Sequence, residues 1–404
     1  MRQCVGDHRL PHSRCGNALK MATLEKADQS GELYRVGPGD EHLYSLQILR
    51  GLAACSVLFY HVGFISTLRN GRNFLGGFFS EGHLGVDVFF VLSGFIIFHI
   101  HRNDFEKPVL CPTYLRKRFF RVYPLLFTLT LVKLVYMFAL GKGVHIAKFD
   151  PTVIVSSFLL LPLPTGAGHI INVAWTLCHE LLFYGIFAAG ILFSGKILSS
   201  LLSLWAFLII VVNIWVGSLL QGLAGFVLNP HNLEFIMGCV IALLYSKLHP
   251  RLILTYLALV GALAGLIAGI VFLHQGHIVP ELLLRLYWST VFGLLILASA
   301  MAERAGWNFG GWPALVRLGD ASYSIYLSHT AILTPLILMF AQRFPVMGMS
   351  FQVALGFSAL TALAASIGIY YLLERPLLRY FKEQRLPASP KNISDRLSAS
   401  ASGL

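Results

Sequence analysis

From residue 43 onward the chain alternates long apolar runs with short polar ones. The runs are about 20 residues long, the length a helix needs to cross a hydrocarbon core of about 30 Å. They fall at 43–66, 83–101, 120–140, 172–194, 198–217, 231–246, 252–273, 282–301, 318–341 and 350–373. Residues 151–164 are also apolar but short, and are broken by Pro151, Pro162 and Pro164. They read as a re-entrant or interfacial piece. The pattern predicts an all-α integral membrane protein, a polytopic bundle of about ten transmembrane helices.

An even number of spans places both termini on one side. Most Lys and Arg residues outside the spans then lie on the side of the tails, which the positive-inside bias assigns to the cytoplasm. Residues 1–42 form a basic cytoplasmic tail expected to be disordered, 43–380 the transmembrane domain, and 381–404 a second such tail. The first forty residues hold no apolar core of the signal-peptide kind, and Met21 is a second candidate start.

Composition agrees. The 404 residues are 56% hydrophobic and 12% charged, and mean hydropathy is +0.69. A soluble chain carries about 25% charged residues. The net charge of +12 flanks the spans, so it is a topology signal and no nucleic-acid partner is expected. The six cysteines show no CxxC or metal-ligand spacing and read as reduced and structural. No metal is expected, and no P-loop, GxSxG or GxGxxG stretch is present.

Ionisable side chains inside spans are costly, and they mark function by default. The first span, LYSLQILRGLAACSVLFYHVGFIS, carries Arg50 and His61. On a helix these lie about 16 Å apart along the axis and on nearly the same face. Asp87 and Ser93 lie on the second span, and Trp175, His179, Glu180 and Tyr184 on the fourth. Tyr323, Tyr326 and His329 lie on the ninth. A buried His near a carboxylate is the usual means of taking a proton from a hydroxyl. His61 and Glu180 fall at similar depth, and Asp87 is a second carboxylate that could orient the imidazole or cap its helix. His179 should face away from Glu180 and reads as packing, and His329 ranks below the rest. Arg116, Arg118 and Arg121 precede Pro124 at the cytoplasmic end of the third span. Arg118 and Arg121 are one helical turn apart, so both can reach one multiply charged phosphate. Trp175, Tyr184, Ser93, Tyr323 and Tyr326 are candidate lining groups for a substrate.

In order along the chain, several stretches resemble the membrane-bound acyltransferase-3 family: the R-x10-H of Arg50 and His61, GVDVFFVLSGF at 85–95, and R-x-x-R at Arg118 and Arg121. The others are WTLCHELLFY at 175–184, LGDASYSIYLSH at 318–329, and Glu374–Pro376. The opening LQILRGLAA…FYHV is most similar to exopolysaccharide acetyltransferases. The resemblance implies an acyl-coenzyme A co-substrate, most readily acetyl-CoA, with its phosphates at R-x-x-R and no permanently bound cofactor. The acceptor would be a hydroxyl of a surface or secreted glycan or its lipid-linked sugar precursor. His61 would be catalytic, as general base or as transient acyl carrier. The partners implied are membrane lipids and the glycan-synthesis machinery, and the place is the bacterial inner membrane. Ser328 departs from the Trp common before the ninth-span His. No hydrolase-like domain follows the spans, so the membrane domain or a partner would complete the transfer. Two alternatives stay open: a proton-coupled glycan transporter without acyl chemistry, although no paired halves are visible, and an acyltransferase acting on a lipid, macrolide or peptide.

Overall fold

A computed structural model describes residues 43–139, 149–163, 167–347 and 350–383. The two expected tails, with Cys4, Cys15 and Pro164, lie outside the described residues, save that the last helix includes residues 381–383. Two units are present: Leu43–Glu374 forms one, and of the other only 375–383 lies among the described residues.

In the first unit the long helices are α1 (Tyr44–Asn70), α2 (Gly85–His101), α3 (Cys111–Ala139), and, after the short α4 (Pro151–Leu159), α5 (Trp175–Leu192) and α6 (Gly195–Trp215). The short α7 (Gly222–Val227) leads into α8 (Asn232–Lys247), α9 (Leu252–His274) and α10 (Glu281–Arg304). The short α11 (Pro313–Asp320) precedes α12 (Ser322–Met347), and α13 (Phe351–Ile369) runs into a π turn at Tyr370–Glu374. In the second unit the described part is one helix, α14 (Arg375–Glu383). No strand occurs among the described residues, and ten helices are long and apolar enough to cross a membrane. The protein is an all-α, multi-pass membrane protein.

Local chemistry sets the helix ends. α1 stops where Gly71 takes φ 65°, and its amide closes on the Thr67 carbonyl at 2.9 Å. Asp150 caps α4: the Thr152 amide donates to it at 2.7 Å and holds its carboxyl below the usual carboxylate range. α4 is only nine residues long and ends at Leu160, in the left-handed region at φ 54°. It is too short to span, as its prolines suggest. The third span differs from expectation. Its helix begins at Cys111, so the R-x-x-R stretch is helical and not part of a loop. The ninth is split at Ala321, between α11 and α12.

The bundle is closest where glycines meet. α2 crosses α8 with Gly94 against the Phe235 backbone and Gly238 against Val91 and Phe95. A Cβ at Gly238 would stand 2.7 Å from the Phe95 amide nitrogen and 2.9 Å from the Gly94 Cα. Such small-residue contacts let helix backbones approach in a membrane, where no hydrophobic drive brings helices together. Gly238→Leu is therefore expected to lower the melting temperature in detergent, at a cost of about 1–3 kcal/mol or more. Gly356, with nothing within 4 Å of its would-be Cβ, is the matched control. α9, of whose apolar window only 11% is buried, turns its side chains outward, as a lipid-facing helix would.

Candidate active site

His61 lies in the fifth turn of α1 and is half-buried. Its Nδ1 is 2.9 Å from the Val57 carbonyl, one turn back. A carbonyl only accepts, so Nδ1 carries the proton and Nε2 keeps its lone pair. α12 presents His329 beside it, fully buried, with Nε2 3.2 Å from His61 Nδ1 and ring centroids 4.8 Å apart. His329 Nδ1 in turn faces the Ile325 carbonyl at 3.0 Å. Both Nδ1 atoms are thus protonated, and His329 Nε2 is an acceptor turned toward His61 Nδ1–H. His61 Nε2 makes no hydrogen bond among the described residues. On α1 the backbone also comes close to α11, where Gly51 meets Leu318 and Gly319.

Further polar groups lie near this pair or near the two arginines. Tyr326 stands next to His329 with ring centroids 6.1 Å apart, and its hydroxyl meets Thr176 Oγ1 at 2.9 Å. Glu180, one turn further along α5, accepts from Ser93 at 3.2 Å and from the Tyr184 hydroxyl. It lies within electrostatic reach of Tyr323 and Tyr326. Arg118 is buried, with Cζ 5.6 Å from the rings of both Tyr114 and Tyr184. Its Nη2 donates to His101 Nε2 at 3.1 Å, and His101 Nδ1 donates to Asp104 at 2.7 Å. Arg121 pairs with Glu374 at 2.5 Å and lies 5.1 Å over the Tyr323 ring, whose hydroxyl donates to the Val122 carbonyl. Glu374 also accepts from Ser324 at 2.6 Å. The π turn directs Glu374 to this position.

The structure thus groups Arg118 with Tyr184, Glu180 and Ser93, groups Arg121 with Tyr323 and Glu374, and sets His61 and His329 beside Tyr326. Arg116 points away and is exposed. Arg50 is half-buried and makes no hydrogen bond or ion pair among the described residues. Trp175 stacks edge-on against Phe90 and His179, and His179 is buried on Asn232 at 2.9 Å. Asp87 lies in the first turn of α2 but makes no capping hydrogen bond there and does not meet His61: its Oδ1 accepts from Arg285 at 2.6 Å, beside His231 and Glu234. No metal-ligand spacing was expected from the sequence, yet the H-x-x-E at 231–234 of a span start is the signal that points here. His329 also meets His61, and Glu374 meets Arg121. Their signal is an ionisable residue within an apolar run.

The family Acyl_transf_3, described as an acyltransferase domain, matches residues 43–372. The chain belongs to this family. It is also similar to the exopolysaccharide production protein ExoZ of Rhizobium meliloti (strain 1021), with 30% identity over 318 residues, 78% of this chain and 95% of that protein. A second relative, protein 2 in the picA locus of Rhizobium radiobacter, is 28% identical over 165 residues, 37% of this chain and 82% of that protein. No solved structure matches the chain at a significant level. The protein is a membrane-embedded acyltransferase.

Proposed function

We propose that this acyltransferase moves an acetyl group from acetyl-coenzyme A to a hydroxyl of a surface or secreted polysaccharide, or of its lipid-linked precursor. The observation that carries the reading is the His61–His329 pair: an imidazole whose Nδ1–H is fixed and whose Nε2 is left as the base, on a chain whose family is acyl-transferring. The similarity to a protein named for exopolysaccharide production supports the polysaccharide acceptor.

In this reading the donor enters from the cytoplasmic side, and Arg118 and Arg121 hold its phosphates. The pantetheine arm runs past Tyr323, Glu180 and Tyr326 toward His61. His61 Nε2 takes the proton of the acceptor hydroxyl as its oxygen attacks the thioester carbonyl. The C–O bond forms and the C–S bond breaks. The sulfur then takes the proton from the imidazolium, giving the sugar ester and free coenzyme A. His329 Nε2 accepts from His61 Nδ1–H throughout and steadies the positive charge. Both tails would lie in the cytoplasm and the domain in the bacterial inner membrane.

The test incubates membranes containing the protein with labelled acetyl-coenzyme A and glycans extracted from the host. Label in the glycan, released by mild alkali as acetate, is the expected result. Coenzyme A release with label in lipid and none in glycan would move the acceptor to a lipid. Intact protein that does not consume acetyl-coenzyme A would move the donor to another acyl carrier.

A further inference from the structure

Away from the His61 pair, three helix starts converge on a second set of ionisable groups. α2 contributes Asp87, α8 contributes Glu234 with His231 just before it, and α10 contributes Glu281 and Arg285. Asp87 is 1% exposed, Glu234 0% and His231 8%. Arg285 Nη1 holds Asp87 Oδ1 at 2.6 Å, and His231 Nδ1 meets Glu234 Oε1 at 3.2 Å. The other oxygen of each carboxylate, Asp87 Oδ2 and Glu234 Oε2, is buried and meets no donor. One ligand atom each from Asp87, His231 and Glu234 lies within 4.8 Å of the other two.

A buried carboxylate oxygen without a donor is expensive, and more so inside a membrane protein. The charges do not cancel either. In the ionised form that ligates a metal, Asp87, Glu234 and Glu281 would set three negative charges against the guanidinium of Arg285. The deficit of two equals the charge of one divalent cation. The helix starts favour the ionised, ligating carboxylates while burial opposes them, and a bound cation would tip the balance to the ionised form.

We propose that Asp87, Glu234 and His231 bind one divalent transition-metal ion, Zn2+ or Mn2+, at the joint of α2, α8 and α10. One imidazole and two carboxylates make a mixed nitrogen and oxygen donor set that suits these ions. Donors about 2.1 Å from a common ion in tetrahedral geometry stand about 3.4 Å apart, so loading would draw the three together by up to about 1.4 Å. Arg285 is the outer partner that orients Asp87, leaving Oδ2 for the ion. Glu281, half-exposed and 3.9 Å from His231 Nε2, stands at the mouth as an entry ligand. The ion ties three spans together, and no step of acyl transfer passes through it.

The full chain is purified in detergent on a tag that binds no metal, without chelator. Elemental analysis is expected to find one equivalent of Zn or Mn per chain. EDTA is expected to lower the melting temperature, and added Zn2+ or Mn2+ to restore it. Glu234→Gln and Asp87→Asn are expected to carry no metal and to melt at a temperature indifferent to EDTA. Wild-type protein that is metal-free and whose melting ignores EDTA, Zn2+ and Mn2+ would overturn the site, and a proton shared by the two carboxyl groups would then account for it. Full metal occupancy in well-folded Glu234→Gln would equally overturn the ligand assignment. If a variant fails to fold, the wild-type measurements alone decide.

Discussion

His61→Ala is expected to lower the turnover number for acyl transfer by about 100- to 10,000-fold while the protein still inserts and folds, since positioned general acid–base groups are worth that much. The side chain is half-buried and its fixed contacts are the Val57 carbonyl and His329, so its loss leaves no buried charge unpaired. Insertion is read from monodisperse behaviour in detergent, and turnover from release of coenzyme A in the presence of acceptor. Wild-type transfer by the well-folded variant would remove His61 from the chemistry. His329 acts through His61 and is a positioning residue, which two replacements separate from simple packing. Gln at 329 can still accept the His61 Nδ1–H through its carbonyl oxygen, whereas Phe fills the space and accepts nothing. His329→Gln is expected to retain more turnover than His329→Phe, with similar KM for the donor in both. Equal turnover in the two would make His329 a packing residue.

The contrast between His61 and its partners shows what can be read from sequence in a membrane bundle. Span counting fixes how deep a residue lies, because each helix rises a set distance per residue and must cross the same slab. It does not fix which way the residue turns around the bundle. Span counting puts Glu180 and Asp87 at a depth like that of His61, which makes them the natural carboxylates for it. In the fold Glu180 turns toward Ser93 and Tyr184, and Asp87 toward Arg285, 198 positions away in the chain. The partner that does meet His61 is His329, 268 positions away, on a helix preceded by the one whose Gly319 meets Gly51. Azimuth depends on such crossings between helices distant in sequence, and a hydropathy pattern that is apolar all round carries no trace of it. The spans, by contrast, were legible because each is continuous and local. So was the shared face of Arg118 and Arg121, which helical spacing alone dictates, although the helix that carries them begins nine residues earlier than hydropathy places it. There the basic side chains mask a helix that continues beneath them.

Arg118→Ala and Arg121→Ala are expected to raise the KM for acetyl-coenzyme A by about 10- to 100-fold each, the worth of one or more charge-assisted hydrogen bonds to phosphate. Both guanidinium groups already have partners, so structural struts would be lost along with the ligand contacts. Arg121→Ala leaves Glu374 buried with Ser324 alone, and breaking such a pair costs about 3–5 kcal/mol. Its melting temperature should fall clearly. Arg118 donates to a neutral acceptor, His101 Nε2, and its loss should cost less stability. The two effects separate with a donor that lacks the 3′-phosphate. Wild-type enzyme should use dephospho-acetyl-coenzyme A with a higher KM than the full donor, and an arginine that meets that phosphate should lose the difference when replaced. An alanine variant that melts early but keeps both KM values identifies its arginine as a strut of the bundle. A variant that melts normally and no longer distinguishes the two donors identifies it as a phosphate ligand. Because Arg118 and Arg121 lie on one face a turn apart, the double variant should show less than the product of the single effects if both hold the same phosphate, and the full product if each holds its own.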